Sequence, residues 1–552
     1  MPLSLSKKLL RIITEKPAPF AAMAVLLIVL LLYLPATLRC GFVHIDDPEY
    51  VLNNLLIRQL DLETVISAFT QTPVGWWMPL TWLSFAIDYQ FWGLKPSGYH
   101  LTNIILHALN AALVVLIADR LLQGLRELSD ERGEERGYLY PVMLLFAGLF
   151  FGIHPLRVES VAWVTERKDV LNGLFFFGAV LSYLRFARQK QVNPRGTGYG
   201  GYYLLSLGCF LLSLMAKSTS VVLPAMLLTL DCYPLGRLGR NTLRPVLLEK
   251  LPFFAASAAM VAITLLTTAS SQYLVTYQAF PFTQRLVVSG NAVWEYFRML
   301  LFPYGLSPFN VIPDPIPAAY TLTTLVVAAA LLCIAFAARL PWLKAAAVCF
   351  VLPMLPVLAF FQNGDQSFAD RFTYLPSLAF TVAAAGILFT LASTRKGIAG
   401  HSLVLFGTAV LVVVLSIMTY RQISVWRSTE TFWTRVISIE PLAISYKERG
   451  RYYHMIGRYD AAIADYTAAL ERITATLKPY EYNFYAFRAE SLRVAGRFEE
   501  AIRDYSTAIG MYPHPAYFLG RGLSLRALGR GAEADEDIRR SGTNPGPVVW
   551  FD

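Results

Sequence analysis

Along the first 420 residues, long runs of Leu, Ile, Val and Phe alternate with short polar segments. Most runs are long enough to cross a bilayer as a helix. Eleven stand out, near residues 19–38, 99–121, 139–154, 169–187, 201–217, 219–233, 251–270, 319–338, 342–361, 374–393 and 400–419. A further stretch, Leu286 to Pro303, carries Asn291, Glu295 and Arg298. Polar groups of that kind are costly in lipid, so this stretch is expected to lie in the interface or re-enter rather than cross.

Beyond Tyr420 charges of both signs become frequent and the long apolar runs stop. There the chain repeats itself. Gly457-Arg458-Tyr459, Ala462-Ile463, Tyr466 and Ala469-Leu470 recur as Gly496-Arg497-Phe498, Ala501-Ile502, Tyr505 and Ala508-Ile509. A weaker third copy carries Gly522 and Gly529. The spacing fits tetratricopeptide repeats of about 34 residues, with glycine at the turn between antiparallel helices and alanine where the helices approach. The segment Trp426 to Ile439 is expected to cap the array as an amphipathic helix. The sequence thus predicts an all-α chain in two domains. Residues 1–420 form a polytopic membrane bundle of about eleven transmembrane helices, and residues 421–552 form an α-solenoid of tetratricopeptide repeats.

Composition agrees: 55% of residues are hydrophobic and 16% charged. The formal charge of +10 falls largely in short loops between apolar runs. Arg120, Arg126, Arg132 and Arg136 form one basic cluster; Arg185, Arg188, Lys190 and Arg195 a second; Arg237, Arg240, Arg244 and Lys250 a third. Arg339 with Lys344, and Arg395 with Lys396, complete the set. The positive-inside rule places all of them in the cytoplasm, so no nucleic-acid partner is needed to explain the charge. Lys7, Lys8, Arg11 and Lys16 precede an apolar stretch too long for a signal peptide, which reads as a retained anchor. With this topology the loop 39–98, the loop His154 to Lys168, the turn at Lys217, the segment Phe361 to Tyr374 and the repeat domain share the non-cytoplasmic side. Five scattered cysteines show no metal-type spacing, and the chain has no Walker-type phosphate loop and no zincin motif.

The outer regions hold the candidate chemistry. GFVHIDDPEY sets Asp46 and Asp47 just after the first apolar run, beside His44 and Pro48. Such a pair can serve as a general base or cation site, or simply cap a helix. HPLRVESVAWVTERKDVL crowds His154, Arg157, Glu159, Glu166, Arg167, Lys168 and Asp169 into one short segment. It is suited to a phosphorylated donor, or to internal salt bridges. In YHLTNIILHALN, His100, Asn103, His107 and Asn110 share one helical stripe facing the bundle interior. Lys217 at a helical hairpin and Arg371 in ADRFTYLPS are candidate phosphate contacts; snorkelling of Lys217 and a salt bridge from Arg371 to Asp370 are the alternatives. Trp76, Trp77, Trp82, Tyr89, Phe91 and Trp92 read as an interfacial belt or as the walls of a lipid groove.

These motifs, in this order and followed by the repeats, resemble the transmembrane and tetratricopeptide-repeat (TMTC) family of O-mannosyltransferases, within the GT-C glycosyltransferase superfamily. The resemblance covers nearly the whole chain. It implies an integral-membrane, GT-C-type bundle that transfers a sugar, mannose in the family, from a polyprenyl-phosphate donor to an acceptor hydroxyl on the non-cytoplasmic side. The acceptor would be a protein or peptide bound near the repeats. Asp46 corresponds to the base, with Asp47 in the same motif; Lys217, Arg167 and Arg371 would neutralise the donor phosphate. His44, His100, His107, His154, Glu159 and Asp169 would orient acceptor or base. A divalent metal (Mg or Mn) at Asp46 and Asp47 is compatible with this reading but not required. The family often has an acidic residue after the lysine, where this chain has Ser218, and usually a longer repeat array. Two other classes fit a membrane bundle with repeats, a transporter or flippase and a non-catalytic scaffold. A bacterial inner membrane or an endoplasmic reticulum would suit the topology, with the lack of organelle signals leaning to the former.

Overall fold

A computed structural model of the chain describes residues 16–125, 127, 139–194, 196–271, 280–361, 366–394 and 398–542. Arg126, Arg132, Arg136, Arg195, Arg395, Lys396, Lys7, Lys8 and Arg11, named above, lie outside the described residues. The chain divides into two compact units between Arg427 and Ser428. The change of composition at Tyr420 falls slightly earlier, because the last apolar helix runs on to Ile423 and a 3-10 turn, Ser424–Arg427, stays packed on the membrane unit. Within that turn Trp426 stacks on Trp163 with ring centroids 5.3 Å apart.

Each apolar run is helical. In chain order the first unit contains α1 (Pro17–Thr37), α2 (Leu62–Thr70), α3 (Pro79–Trp92), α4 (Pro96–Leu121), α5 (Leu139–Gly152), α6 (Val158–Ala162), α7 (Arg167–Val192) and α8 (Gly200–Ala216). It continues with α9 (Leu223–Cys232), α10 (Leu243–Ser271), α11 (Phe282–Leu301), α12 (Ala318–Phe336), α13 (Pro341–Val351), α14 (Ser377–Thr394) and α15 (Ile398–Ile423). Among the described residues seven helices are long and apolar enough to span a membrane, and an eighth span is bent by 48° between α5 and the segment Pro155–Ala162. Pro155 lacks the amide proton that would continue the helix, and the bend falls there. Three shorter apolar segments, Gly200–Ala216, Ser218–Cys232 and Pro341–Val357, match the remaining runs. The chain is a multi-pass membrane protein. The stretch near Leu286 to Pro303 is the twenty-residue helix α11, which is amphipathic and not among the apolar spans.

Close helix approach depends on small residues, as expected without water to drive association. A Cβ on Gly148 would lie 2.4 Å from Val115 Cγ2, and one on Gly152 would lie 2.6 Å from Val29 Cγ2. These two glycines let α5 press against α4 and α1. Gly173 does the same for the site described below, where a Cβ would meet Tyr374 Cε1 at 2.7 Å.

The segment 39–98 packs, together with Tyr99 and Val164, a core of Tyr50, Val51, Ile57, Ala68, Met78, Trp82, Phe85 and Ala86. Trp82 therefore belongs to this core rather than to an interfacial belt, whereas Phe91 and Trp92 remain exposed. A short antiparallel pairing of β1 (Asn310–Val311) with β2 (Gln366–Phe368) ties two other loops together.

The second unit consists of α16 (Thr429–Ile439), α17 (Ala443–Met455), α18 (Tyr459–Leu470), α19 (Glu481–Val494), α20 (Phe498–Met511), α21 (Pro515–Ala527) and α22 (Gly531–Ser541). Three helical pairs follow α16, which opens with a capping box at Ser428. Gly457, Gly496 and Gly529 take φ of 77°, 78° and 77° at the turns inside the pairs, a left-handed conformation that favours glycine. Ala462, Ala469, Ala501 and Ala508 are fully buried where the helices cross. One polar clamp recurs in every pair. Arg449, Arg488 and Arg521 each grip the aspartate sixteen residues on, Asp465, Asp504 and Asp537, through two nitrogens at 2.6–2.9 Å. The remaining nitrogen donates back to a hydroxyl of the preceding pair, Thr434, Thr467 or Ser506, at 3.0–3.1 Å. Because the first of these hydroxyls sits on α16, that helix stacks as the element before the first pair.

Arg488→Ala is expected to destabilise the repeat unit by about 1–3 kcal/mol, the range for hydrogen bonds to charged groups. A double-mutant cycle with Asp504→Ala, followed by denaturant unfolding of the full-length chain, should show coupling between the two positions.

Candidate functional site

Four segments far apart in sequence meet at one end of the first unit's helices: the turn after α1, the stretch from His154 to the start of α7, the α8–α9 hinge and the turn before α14. Each brings charge. Glu166 is the residue before α7, where a carboxylate is favoured by the unsatisfied amides of the helix start. Lys168 and Asp169 follow in the first turn. Lys217 is placed by the end of α8, whose helix stops where the chain turns extended. Arg371 is carried by a 3-10 turn, Asp370–Thr373.

The side chains interlock. Glu166 Oε1 lies 3.1 Å from Lys168 Nζ and 3.3 Å from Arg371 Nε, and Glu166 Oε2 lies 3.5 Å from Lys217 Nζ. Lys217 also pairs with Asp169, and the Arg371 guanidinium pairs with Glu159. The Arg371 backbone amide donates to Glu159 Oε2 at 2.9 Å, and Arg371 Nη2 donates to Gln366 Oε1 at 2.6 Å. Arg371 thus pairs with Glu159 and Glu166 rather than with Asp370. Aromatic rings wall the cations: Lys168 sits 4.7 Å from the Tyr50 ring centre, and Arg371 4.7 Å from that of Phe372.

The two neighbouring aspartates have different surroundings. Asp47 is fully buried, and both its oxygens are engaged: Val43 N donates to Oδ2 at 2.7 Å, while Thr165 N and Oγ1 donate to Oδ1 at 3.0 and 2.6 Å. It ties the segment after α1 to the segment carrying Glu166. Burial pushes its pKa up to about 7, against the lowering effect of the hydrogen bonds from Thr165 and Val43. Asp46 is only half-buried and lies within the electrostatic reach of Lys168, Glu166 and Arg371. Its pKa is raised by burial, with Lys168 pulling it down and Glu166 pushing it up. A carboxylate with raised proton affinity that solvent can still reach is suited to accept a proton.

Beside the cations is a small, partly open cleft of about 20 Å³, room for about one water molecule. Its polar lining includes Asp169, Lys217 and Arg371; its apolar wall includes Pro353, Val357 and Phe372.

Other residues singled out in the sequence have structural places. Arg167, read from the sequence as a phosphate contact, is fully buried away from the cleft. It pairs with Asp88 at 2.6 Å, donates to the Tyr99 carbonyl at 2.9 Å and bonds the Asn103 side chain. Its guanidinium joins α3, α4 and α7 and is not available to a donor. His107 is bonded on both ring nitrogens, to Tyr374 Oη at 2.8 Å and to the Gly152 carbonyl at 2.9 Å. Asn110 donates to the same Tyr374 hydroxyl at 2.9 Å. His154 lies 3.2 Å from the Leu300 carbonyl and accepts from Leu156 N at 3.3 Å. His100 is buried in α4, facing the backbone of Cys40 and Gly41. His44 is half-buried in the turn that carries Asp46. The histidines of α4 and His154 hold elements together, as buried polar groups between helices commonly do.

Sequence reasoning did not single out Lys168 or Glu166 from their crowded neighbourhood. The signal was the dense mix of charges in TERKD; which of these faces inward depends on where α7 begins.

A metal at the acidic pair does not fit. Both Asp47 oxygens are taken by protein donors, which leaves one carboxylate, and among the described residues no group of three or more His, Cys, Asp or Glu side chains could hold an ion.

The fold and site define a multi-pass, all-α membrane protein with a charge-paired centre at the helix ends and an appended repeat unit. A tetratricopeptide-repeat family model matches residues 488–541. Protein O-mannosyl-transferase Tmtc1 of Drosophila melanogaster is 30% identical over 212 residues, covering 37% of this chain and 22% of that protein. Protein O-mannosyl-transferase TMTC4 of Homo sapiens is 29% identical over 248 residues, 42% of this chain and 32% of the relative. Protein O-mannosyl-transferase TMTC1 of Homo sapiens is 24% identical over 479 residues, 79% of this chain and 48% of the relative. The matched part is thus less than half the length of each of these relatives. No solved structure matches the chain. Over these lengths the chain is similar to the TMTC proteins.

Because burial raises the Asp47 pKa to about 7, the folded state holds this proton more tightly than the unfolded chain does. The stability from this group is therefore full below about pH 4 and is lost as pH rises through about 7. Unfolding midpoints recorded across that window should fall with pH in the wild type and fall less in Asp47→Asn.

Proposed function

We propose that the membrane unit is a glycosyltransferase that moves a sugar, mannose by the names of its relatives, from a polyprenyl-phosphate donor to a hydroxyl of a protein acceptor. The observation that carries this reading is a reachable carboxylate, Asp46, in the field of Lys168 and Arg371, whose shared partner Glu166 also meets Lys217, next to a small cleft with an apolar wall. A lipid-linked phosphate needs both parts: apolar surface for the chain and cations for the head. The relatives' names add the reaction class.

In this mechanism Asp46 takes the proton from the acceptor hydroxyl as its oxygen attacks the anomeric carbon from the face opposite the phosphate. The bond between that carbon and the phosphate oxygen breaks, its electron pair stays on the phosphate, and the configuration inverts. The phosphate gains negative charge as the bond breaks, so cations fixed around it stabilise the transition state more than the ground state. Lys217 and Arg371 supply two of them, and Lys168 takes the place read from the sequence for Arg167. Asp47 keeps Asp46 in position through Thr165. Glu159 and Asp169 hold Arg371 and Lys217, while Arg167, His107 and His154 fix the surrounding helices. The repeats offer a surface for the protein acceptor, and the reaction takes place on the non-cytoplasmic side of an inner membrane or endoplasmic reticulum.

Asp46→Asn, folded to wild-type level, should lose transfer by a factor of about 100 or more, the lower range for removal of a general base. Purified protein given a radiolabelled polyprenyl-phosphate sugar provides the assay, and turnover at the wild-type rate would remove Asp46 from the role. Lys217→Ala should instead raise the donor KM with a smaller effect on kcat; an unchanged donor dependence would refute the assignment.

A further inference from the structure

Glu166 occupies the point where the three cations meet. Its carboxylate is almost completely buried and contacts Lys168 and Arg371 through Oε1 and Lys217 through Oε2, at 3.1, 3.3 and 3.5 Å. Glu159 and Asp169 do something different: each takes a cation from one side, Arg371 and Lys217 respectively, and leaves the centre to Glu166. A bridging anion at the focus of three cations is the arrangement that a phosphate head would adopt.

Charge makes the coincidence consequential. Lys168, Lys217 and Arg371 face Glu159, Glu166 and Asp169, so the cluster is already neutral, and Asp46 adds one further negative charge nearby. A phosphate added to this set would bring an anion into a site with no spare positive charge, which is unfavourable where the surroundings are poorly polarisable. When Glu166 takes up a proton as it yields its contacts, a sugar-linked prenyl phosphate, a monoanion, replaces its charge one for one and the same cations serve the incoming anion without that penalty. The cleft opens beside Lys217 and Arg371, so the exchange can proceed from that side.

We propose that Glu166 is a built-in occupant of the donor-phosphate subsite. It holds Lys168, Lys217 and Arg371 assembled in the unloaded protein and yields their contacts when the prenyl phosphate enters. Donor binding is then a swap of one anion for another, and Glu166 lowers donor affinity while keeping the empty site from flying apart. This inference rests on the reading above that the donor is a prenyl phosphate.

The test uses the full-length protein in lipid nanodiscs, with farnesyl phosphate as ligand and farnesol as the uncharged control. Glu166→Gln keeps the shape and removes the competing charge; it should bind farnesyl phosphate about tenfold more tightly than the wild type, with farnesol unchanged. Glu166→Asp keeps the charge but is one carbon too short to bridge all three cations. It should tighten binding in the same direction by a smaller factor, and it decides the matter should Glu166→Gln fail to fold. A merely structural salt bridge predicts the reverse, since loosening the cations would weaken phosphate binding. If the wild type binds farnesyl phosphate selectively and the folded variants bind it equally or less well, the occupant role is overturned and the donor reading stands. If no form prefers farnesyl phosphate to farnesol, the donor reading fails and this inference with it.

Discussion

A charge placed at the edge of a membrane, out of reach of bulk water, has to be met by an opposite charge or a set of hydrogen bonds. That requirement organises the centre of this protein. Glu166 cannot be buried without Lys168, Lys217 and Arg371 around it, and those cations come from the α7 start, the α8–α9 hinge and the turn before α14. Satisfying one carboxylate therefore fixes the relative position of segments that no local preference would bring together. In the donor reading proposed above, the same pairing keeps the cations assembled before an anion enters.

Around this charged centre lies a second layer of buried polar groups that bond across helices. Arg157 donates to Thr373 Oγ1 and Ser377 Oγ, at 2.6 and 2.8 Å, and so steadies the turn that carries Arg371. Arg167 joins α7 to α3 and α4 through Asp88, Tyr99 and Asn103. His107 and Asn110 converge on the Tyr374 hydroxyl, which reaches them because Gly173 leaves room for its ring. The two neighbouring aspartates differ in engagement: Asp47 has both oxygens bound by the protein, whereas Asp46 stays partly exposed in the field of Lys168 and Arg371.

The repeat unit solves a related problem with water at hand. Its Arg–Asp–hydroxyl clamps are partly buried, recur at each helical pair, and link every pair to the one before. Stability in such an array is close to a sum of pair and interface terms, and here the clamp supplies part of both. Small residues at the crossings and left-handed glycines at the turns supply the close packing.

Much of this was legible in the sequence because it depends on short-range pattern. Run length and hydrophobicity specified the membrane helices, loop arginines suggested their orientation, and the recurrence of Gly457 and Gly496 specified helical repeats, since helix formation and turn geometry are local. The motifs also drew attention to charged segments that share one network: Glu166 meets Lys217 and Arg371, and Arg371 lies in the field of Asp46. Partner choice was not legible. Arg167 and Lys168 are adjacent in sequence and equally cationic, yet the helical turn sends one into Asp88 and the other to Glu166. Likewise Asp46 and Asp47 are chemically identical until the fold brings Thr165 against only one of them. Local chemistry determined which residues could carry charge; only the packing of distant segments decided which charges are neutralised inside the scaffold and which are left to face a ligand, because that depends on distances the one-dimensional chain does not contain.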